Sequence, residues 1–544
     1  MGATMATLPP PTRALVRPAL LLSLLSLACN TPPPPTTPDP PQITIGVTES
    51  NVVGKSVKLS LTVSGCDQVQ GLEVLDNNTV IKRVTASANP TPVELGISEV
   101  EGAFKRGIAA NLSLTARVTC SDGRTNISAA QPATFFPVED VVEPVDANSP
   151  VVTTYFAAEG SGAGTAFIGC GRKGNLSILY KVLKSNPTSP QELEMPIPCD
   201  ETTTVTDRRP AGTGWRWVWT RDQGAFAIDK DFKITSVTLK TPDFVTVAPD
   251  GNAFVCDNQS IQLTLPTVPT GGSNVKWAYE PLELPGQLIG EPLVRTGGST
   301  SNTVVVPLAS TITSPSGDKV NLQVGVIEYS TGDWKNTYDI DSLPSSQTGP
   351  VAFDPSGTVL YVTTQGDKAA NVKACDIGAS STASLCTAGS TSRLWISADL
   401  TGSMAALIPY NNGTRLAALT TNRFWFLDTK NGPTVGRGPV NKEQQPITPN
   451  GTLLTRFAQP GPPPPSAYSG SFYLFNSSAS TTANPFPFPV EIVATDLAEN
   501  GELFRYQIPG GSLYGALDDS GALWMRVGPR LVKPYAPDWY RTRR

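Results

Sequence analysis

The strongest constraint on the fold is a strand–turn–strand pattern that recurs through the second part of the chain. In each copy an apolar run enters a turn of polar residues and proline that ends in glycine, and a second apolar run follows. Such punctuation is typical of short antiparallel strands, so the pattern predicts an all-β fold. The seven turns are VAPDG ending at Gly251, TSPSG at Gly317, FDPSG at Gly357, YNNG at Gly413, ITPNG at Gly451, LAENG at Gly501 and LDDSG at Gly521.

The clearest copy is VAFDPSGTVLYVTT, residues 351–364, and a third strand is expected near 372–375. It resembles one blade of a β-propeller, in the style of the quinoprotein-like and Tyr-Val-Thr-Asn-repeat propellers. One four-stranded blade cannot bury both faces alone, and stacking around an axis covers them. With blades of ~40–50 residues, the resemblance implies a seven- or eight-bladed β-propeller over residues 151–540. The close spacing of Gly501 and Gly521 is interpreted as two turns within the last blade. A fibronectin-like array of sandwiches is the structural alternative.

Residues 43–138 carry a different pattern, in which apolar and polar residues alternate as in half-buried strands. Alternation is clear over 57–63 and 112–120, and apolar runs on either side of Asp76-Asn77-Asn78 predict a hairpin. The region resembles an immunoglobulin-like β-sandwich, with Cys66 and Cys120 in the place of the inter-sheet disulfide. The buried tryptophan of that family is missing between these cysteines. Residues 139–150 are predicted to be a linker.

Residues 1–28 are predicted to be a signal peptide, because arginines at 13 and 17 precede a ten-residue apolar run that is too short to span a bilayer. The run ends in Leu-Ser-Leu-Ala-Cys, which resembles the lipobox of bacterial lipoproteins and implies a lipid on Cys29. That family prefers leucine where this chain has Ser26 and a small residue where it has Leu27. Ordinary cleavage nearby, with Cys29 unmodified, is the alternative.

Residues 29–42 are predicted to be a lipid-anchored, proline-rich tether in an extended polyproline II conformation. Asn30 stands where many lipoproteins retained at the inner membrane have aspartate. The resemblance therefore implies an extracytoplasmic protein at the outer membrane or cell surface, which contacts the membrane only through its lipid. No later segment is apolar and long enough to span a bilayer.

Export makes disulfides the expected state of the remaining cysteines. Cys120 ends an alternating strand, and we predict that it pairs with Cys66. Further pairs are predicted between Cys375 and Cys386 and between Cys170 and Cys199, which leaves Cys256 as a buried free thiol.

The chain contains no histidine, which excludes Ser-His-Asp and Cys-His catalysis and histidine-ligated metals. Carboxylate, lysine, tyrosine and calcium chemistry remain open. A net charge of −5 without basic runs gives no footprint for nucleic acid. The acidic pairs Asp229/Asp231, Asp339/Asp341 and Asp518/Asp519 lack the spacing of a calcium loop, and we expect no metal or cofactor.

A row of tryptophans, Trp215, Trp217 and Trp219, lies on one face of a predicted strand, with Arg216 and Val218 on the other. Exposed, the row would stack on sugar rings or partner side chains; buried, it would pack between two blades, which we expect. With no catalytic residues identified, the sequence favours a cell-envelope lipoprotein that is a non-catalytic platform for protein or polysaccharide partners. The alternative is an extracytoplasmic propeller enzyme, either a quinone-dependent dehydrogenase or a carboxylate-based hydrolase or lyase.

Overall fold

A computed structural model describes the sandwich region, most of the following sheets and parts of the C-terminal third. The described residues are 39–102, 109–142, 152–160, 162–200, 203–205, 215–295, 302–313, 317–366, 368–378, 386–387, 390–397, 399–410, 415–420, 424–429, 453–454, 471–477, 490–496, 501–508, 511–518, 520, 522–527, 530–536 and 539. The predicted signal peptide, Cys29 and most of the predicted tether lie outside them.

The first region is a two-sheet β-sandwich. A three-stranded sheet in the order β1-β3-β6 faces a larger sheet in the order β2-β9-β7-β4-β5, with β8 beside β7. Nearly every strand pairing is antiparallel, but β2 runs parallel to β9. The elements are β1 (Gln42–Val47), β2 (Asn51–Gly54), β3 (Ser56–Ser64), β4 (Val69–Asp76), β5 (Thr79–Val84), β6 (Thr91–Gly96), α1 (Ile97–Val100), β7 (Ala110–Cys120), β8 (Thr125–Ile127) and β9 (Gln131–Pro137).

The alternating sequence explains how the two sheets share one core. Every second residue of β7 is buried, and Val57, Leu59 and Leu61 of β3 point into the same cluster. The predicted hairpin joins β4 to β5, and both Asn77 (φ 47°) and Asn78 (φ 68°) are left-handed. Two such residues match the twist of the strands, and asparagine tolerates this conformation.

The second region is a series of eight antiparallel sheets, here called blades 1 to 8. Blade 1 contains β11 (Val152–Glu159), β12 (Ala166–Lys173), β13 (Leu176–Leu183) and β14 (Asn186–Glu194). Blade 2 contains β15 (Thr204–Val205), β16 (Arg216–Thr220), β17 (Gly224–Ile228) and β18 (Ile234–Thr238). Blade 3 contains β19 (Phe244–Val247), β20 (Ala253–Cys256), β21 (Ile261–Thr264) and β22 (Val275–Tyr279). Blade 4 contains β23 (Gln287–Leu288), β24 (Leu293–Val294), β25 (Thr303–Ile312), β26 (Lys319–Glu328) and β27 (Trp334–Pro344).

The last four blades continue the series, with several gaps in the described residues. Blade 5 contains β28 (Thr348–Phe353), β29 (Val359–Gln365), β30 (Ala369–Asp376), β31 (Arg393–Ile396) and β32 (Leu400–Thr401). Blade 6 contains β33 (Met404–Tyr410), β34 (Arg415–Thr420) and β35 (Phe424–Asp428). Blade 7 contains β36 (Leu453–Leu454), β37 (Ser471–Ser477), β38 (Val490–Asp496) and β39 (Gly501–Ile508). Blade 8 joins β40 (Gly511–Leu517), β41 (Leu523–Val527) and β42 (Arg530–Lys533) to the early strand β10 (Asp140–Val142).

The arrangement is that of a β-propeller, because individual blades pack against a neighbour on each side. Blade 3 shares one apolar cluster with blade 2 and another with blade 4, and blade 5 does the same with blades 4 and 6. In an array of sandwiches each sheet would have a single facing partner. Blade 1 packs on blade 2 and also on blade 8, where the Phe167 and Trp524 ring centroids are 4.8 Å apart.

The recurring glycine turns mark hairpins at different places within a blade. The turns at Gly251 and Gly357 join the first strand of a blade to the second, whereas Gly317 lies between β25 and β26 of blade 4. Gly501 opens β39 of blade 7, and position 521 lies between β40 and β41 of blade 8. The interpretation of these last two turns as parts of one blade is therefore wrong, because the motif reports a hairpin and not a blade boundary.

The predicted linker 139–150 begins as a strand. Only two residues separate β9 of the sandwich from β10, which pairs with β42 in the register Asp140↔Lys533. The Val138 amide donates to the Gly54 carbonyl at 3.1 Å, and the Glu139 amide donates to the Lys533 carbonyl at 2.8 Å. The connection is thus hydrogen-bonded to both structural regions.

Ion pairs reinforce this junction. Asp140 contacts Lys55 of the sandwich at 2.9 Å and also pairs with Lys184 of blade 1. Arg530 of blade 8 holds Glu49 of the sandwich through two hydrogen bonds of 2.6 and 2.8 Å. The hydrogen bond with Arg530 lowers the pKa of Glu49. Burial opposes ionisation of Asp140, but its bonds with Lys184 and Lys55 outweigh burial, and its pKa is also lowered.

Candidate functional site

Asp229 and Asp518, one carboxylate from each of two acidic pairs, each stabilise the turn in which they lie. Asp519 lies outside the described residues. Asp229 accepts hydrogen bonds from the backbone amides of Asp231 and Lys233, each at 2.9 Å. Asp518 accepts from the amides of Ser520 and Ala522 at 2.9 and 3.0 Å, and its second oxygen accepts from the Trp524 indole at 3.0 Å. These carboxylates satisfy turn amides that would otherwise lack partners.

The third acidic pair lies on β27, where the two carboxylates point to opposite faces. Asp341 is buried and accepts from Lys373 of blade 5 at 2.6 Å, so it joins blades 4 and 5. Asp339 accepts from Asn321 and Gln323 on the neighbouring strand, at 3.1 and 2.8 Å. Across the described ranges, no group of three or more Cys, Asp or Glu side chains is placed to hold a metal ion.

Two tryptophans of the row, Trp217 and Trp219, pack against blade 3. Trp217 is fully buried among alanines and valines of blades 2 and 3, and its indole donates to the Gly251 carbonyl at 2.9 Å. Trp219 packs partly buried against the same cluster, and Trp215 is half-buried just before β16. Trp217 therefore offers no surface to a ligand.

Arg216 and Val218 lie on the face of β16 opposite to Trp217, as the alternation predicts, and this face packs against blade 1. Val218 is buried with Ile168 and Leu179, and Arg216 forms an ion pair with Glu159 at 2.7 Å. The Arg216 side chain is only 3% exposed, and that of Glu159 is 14% exposed. Lys181 lies 4.0 Å from the other Glu159 oxygen. This charge cluster links blades 1 and 2.

Six cysteines form the three predicted disulfides. Their Cα–Cα separations are 5.6 Å for Cys66–Cys120, 6.1 Å for Cys170–Cys199 and 5.4 Å for Cys375–Cys386. Cys256 is a buried free thiol on β20, and burial raises its pKa well above the usual value. Because the thiolate is the reactive form, Cys256 is unsuited to nucleophilic chemistry.

The most distinctive surface feature is a group of aromatic side chains across blades 3 and 4. Trp277 and Tyr279 lie on β22, Trp334 begins β27, and Tyr329 lies in the turn between β26 and β27. The Tyr279 ring centroid is 5.5 Å from that of Trp334 and 6.1 Å from that of Trp277. Tyr279, Tyr329 and Trp334 are half-buried, so their rings are partly accessible. Together with Leu282 these four aromatic residues are called the aromatic surface.

Glycines and hydrogen bonds fix the rings in place. A Cβ atom on Gly332 would lie 2.7 Å from Trp277, and one on Gly325 would overlap the Trp334 ring. The Trp277 indole donates to the Tyr329 carbonyl at 3.0 Å, and the Trp334 indole donates to Thr337 at 3.0 Å. These contacts fix the positions of the Trp277 and Trp334 rings.

Carboxylates border the aromatic surface. The Tyr329 hydroxyl donates to Asp250 at 2.6 Å, and burial together with this bond raises the pKa of Tyr329. The Tyr279 hydroxyl donates to the carbonyl of Gly332, the residue before Asp333, at 2.5 Å. Burial raises the pKa of Tyr279, and the charges of Asp333 and Glu283 raise it further. The ammonium of Lys276 lies over the Tyr329 ring, 4.7 Å from its centroid.

Leu282 is the most exposed large apolar residue of the described chain, with a relative exposure of 101%. It lies in the turn that follows β22, where the Glu283 amide donates to the Glu280 carbonyl at 3.1 Å. Its φ of 79° is left-handed, a conformation that a bulky side chain rarely adopts. Sequence reasoning missed this surface because its residues come from two segments that meet only in the fold.

Among the described helices, none combines the length and apolar character needed to cross a membrane.

No family model and no curated protein sequence matches the chain. Solved structures similar to it include the Dos1 propeller, with 12% identity over 71% of this chain and 93% of that chain and a TM-score of 0.40. BamB from Moraxella catarrhalis is 11% identical over 70% of this chain and 94% of its own, with a TM-score of 0.38. A eukaryotic initiation factor is 12% identical over 70% and 83%, with a TM-score of 0.37. At these identities and TM-scores, the similarities identify no function.

Proposed function

We propose that this protein is a cell-envelope lipoprotein, anchored by a lipid on Cys29, whose propeller is a non-catalytic platform for a protein or glycan partner. The aromatic surface is the observation that carries the binding role. Partly exposed tryptophan and tyrosine side chains on a fixed backbone are the usual energetic centre of a binding interface. Three carboxylates of the predicted acidic pairs, Asp229, Asp341 and Asp518, already stabilise turns or form an ion pair, which is a structural role.

The proposal extends to the architecture. The sandwich, residues 43–138, is proposed to be immunoglobulin-like. Its support is the strand order: the sheet β1-β3-β6 faces a second sheet, in which the early strand β2 lies beside the last strand, β9. Residues 151–540 with β10 are proposed to form an eight-bladed ring. Three disulfides fit an oxidising compartment outside the cytoplasm. The sandwich would then hold the platform away from the membrane.

Crosslinking in intact cells tests the binding role. A photoreactive phenylalanine analogue in place of Tyr279 should give discrete crosslinked products, because this ring lies in the aromatic surface. The same analogue at Leu176, which is 48% exposed on blade 1, is the matched control and should give none. Equal products from both positions would argue against a specific site. Turnover of a substrate by the purified protein, lost on replacing one carboxylate, would favour the enzyme alternative.

The anchor has its own test. Cys29→Ser removes the thiol that would carry the lipid, so the variant should move from the membrane fraction to the soluble extracytoplasmic fraction. Thr31→Ser in the proline-rich segment is the control and should fractionate as the wild type does. A Cys29→Ser variant that stays with membranes, together with no acyl mass on the mature N-terminus of the wild type, would refute the anchor.

A further inference from the structure

The charges around the aromatic surface are unbalanced. Asp250, Glu283 and Asp333 are all exposed, and none of them forms an ion pair with a described residue. Their hydrogen-bond donors are uncharged: Asp250 accepts from the Tyr329 hydroxyl and from the Asn252 side chain, Glu283 from the Glu280 amide at 2.7 Å, and Asp333 from Thr331 at 2.8 Å. An exposed surface with three carboxylates that lack cationic partners is complementary to a positively charged partner.

The rings favour the same sign of charge. Lys276 already lies over the face of Tyr329, so the geometry accommodates an ammonium group at this surface. Cations over tyrosine or tryptophan gain electrostatic attraction, and arginine does so most often. A lysine or arginine of a partner could therefore meet both a ring face and a carboxylate.

Leu282 indicates that the partner also has apolar character. A left-handed turn position is easier for asparagine or glycine than for leucine, and full exposure gives the leucine no packing within the chain. Backbone strain of this kind is often retained at ligand-binding positions. A branched alkyl group has no hydrogen bond to offer to sugar hydroxyls, whereas it can bury against an apolar protein side chain.

We propose that the aromatic surface binds a segment of a partner protein in which lysine or arginine stands beside apolar side chains. This proposal rests on the proposed function and specifies its partner class. Leu282 and Trp334 contact the apolar side chains, and Glu283 and Asp333 pair with the basic ones. The tryptophan rings do not rearrange on binding, because they already pack closely against Gly325 and Gly332.

Selection from a random library of 12-residue displayed peptides on the full mature protein tests this. Enriched peptides should combine lysine or arginine with leucine, isoleucine or phenylalanine. Synthetic copies should lose at least ten-fold in affinity on Leu282→Asn and on the double change Glu283→Gln and Asp333→Asn. Their affinity for the wild type should fall as salt is raised, since the exposed charges are screened. Leu239→Asn, at a 71% exposed leucine in blade 2's following loop, should leave affinity unchanged.

Stability separates loss of contact from loss of fold. Leu282→Asn should leave the melting temperature equal or higher, because asparagine tolerates the left-handed backbone. Enriched peptides that are neutral or acidic, or that bind Leu282→Asn as well as wild type, would overturn the inference. Binding of neutral glycans at Trp334, without peptide binding, would overturn it in favour of a sugar. In either case, crosslinks from position 279 in cells would leave the binding platform itself intact.

Discussion

Glu159→Gln is expected to destabilise the junction of blades 1 and 2 by about 3–5 kcal/mol, the range for breaking a buried ion pair. Arg216 is 3% exposed and lies 2.7 Å from Glu159, so the substitution removes the countercharge of a desolvated guanidinium without changing the shape of the side chain. Denaturant unfolding followed by tryptophan fluorescence measures the loss, and hydrogen exchange of β11 and β16 should locate it.

Two companion variants separate charge from packing. Glu192→Gln breaks the surface pair with Lys173, whose side chains are 35% and 58% exposed, and should cost about 0–1 kcal/mol. Adding Arg216→Met to Glu159→Gln should recover much of the lost stability, because an apolar chain can occupy the buried position. If Glu159→Gln lowers the free energy of unfolding no more than Glu192→Gln does, the Arg216–Glu159 ion pair does not stabilise the junction.

Trp217→Ala should cost about 3–5 kcal/mol, as expected when a fully buried aromatic side chain is truncated. Trp217 has no exposed surface, packs between blades 2 and 3, and donates its indole proton to the Gly251 carbonyl. Thermal and denaturant unfolding provide the measurement. Trp217→Phe should cost less, since it keeps one aromatic ring in the cluster; it loses a hydrogen bond worth about 1 kcal/mol and the volume of the second ring.

Trp219→Ala is the control for position within the row. Trp219 is only partly buried, so its truncation should be less destabilising than that of Trp217. If Trp217→Ala kept full stability but abolished binding of a sugar or protein, the buried placement would be refuted. The tryptophan row would then be a ligand surface after all.

Local patterns predicted most of what is local in this fold. The period-two alternation in β3 and β7 follows from each strand having one face on a core. The Asn77-Asn78 turn is a local feature, because both asparagines adopt left-handed backbone conformations. The two faces of β16 were also readable, because Trp217 and Val218 must point in opposite directions. The alternation does not predict which neighbouring sheet packs against each face of a strand.

Apart from the disulfides, the features that join distant segments were not predictable from the sequence. The strand β10 has only three residues, too few for a period, and its partner β42 is near the other end of the chain. The aromatic surface combines the end of β22 with a turn in blade 4. Its tryptophan rings lie where Gly325 and Gly332 leave room for them, and both look like ordinary strand and turn glycines in the sequence. Leu282 gave one local signal, a leucine in a short turn between two glutamates.

The pairing of β10 with β42 imposes an order on biogenesis. A chain that emerges from its N-terminus can complete the sandwich early, since all the strands of that core lie before position 138. Blade 8 cannot be completed until residues 511–533 have been synthesised, because β10 forms its strand pairing with β42. Until then blade 1 presents its Phe167 side chain without Trp524 to cover it. A nonsense mutation shortly before position 511 would therefore leave the sandwich whole and the series of blades open at one edge, a state exposed to proteases and to pairing with other chains.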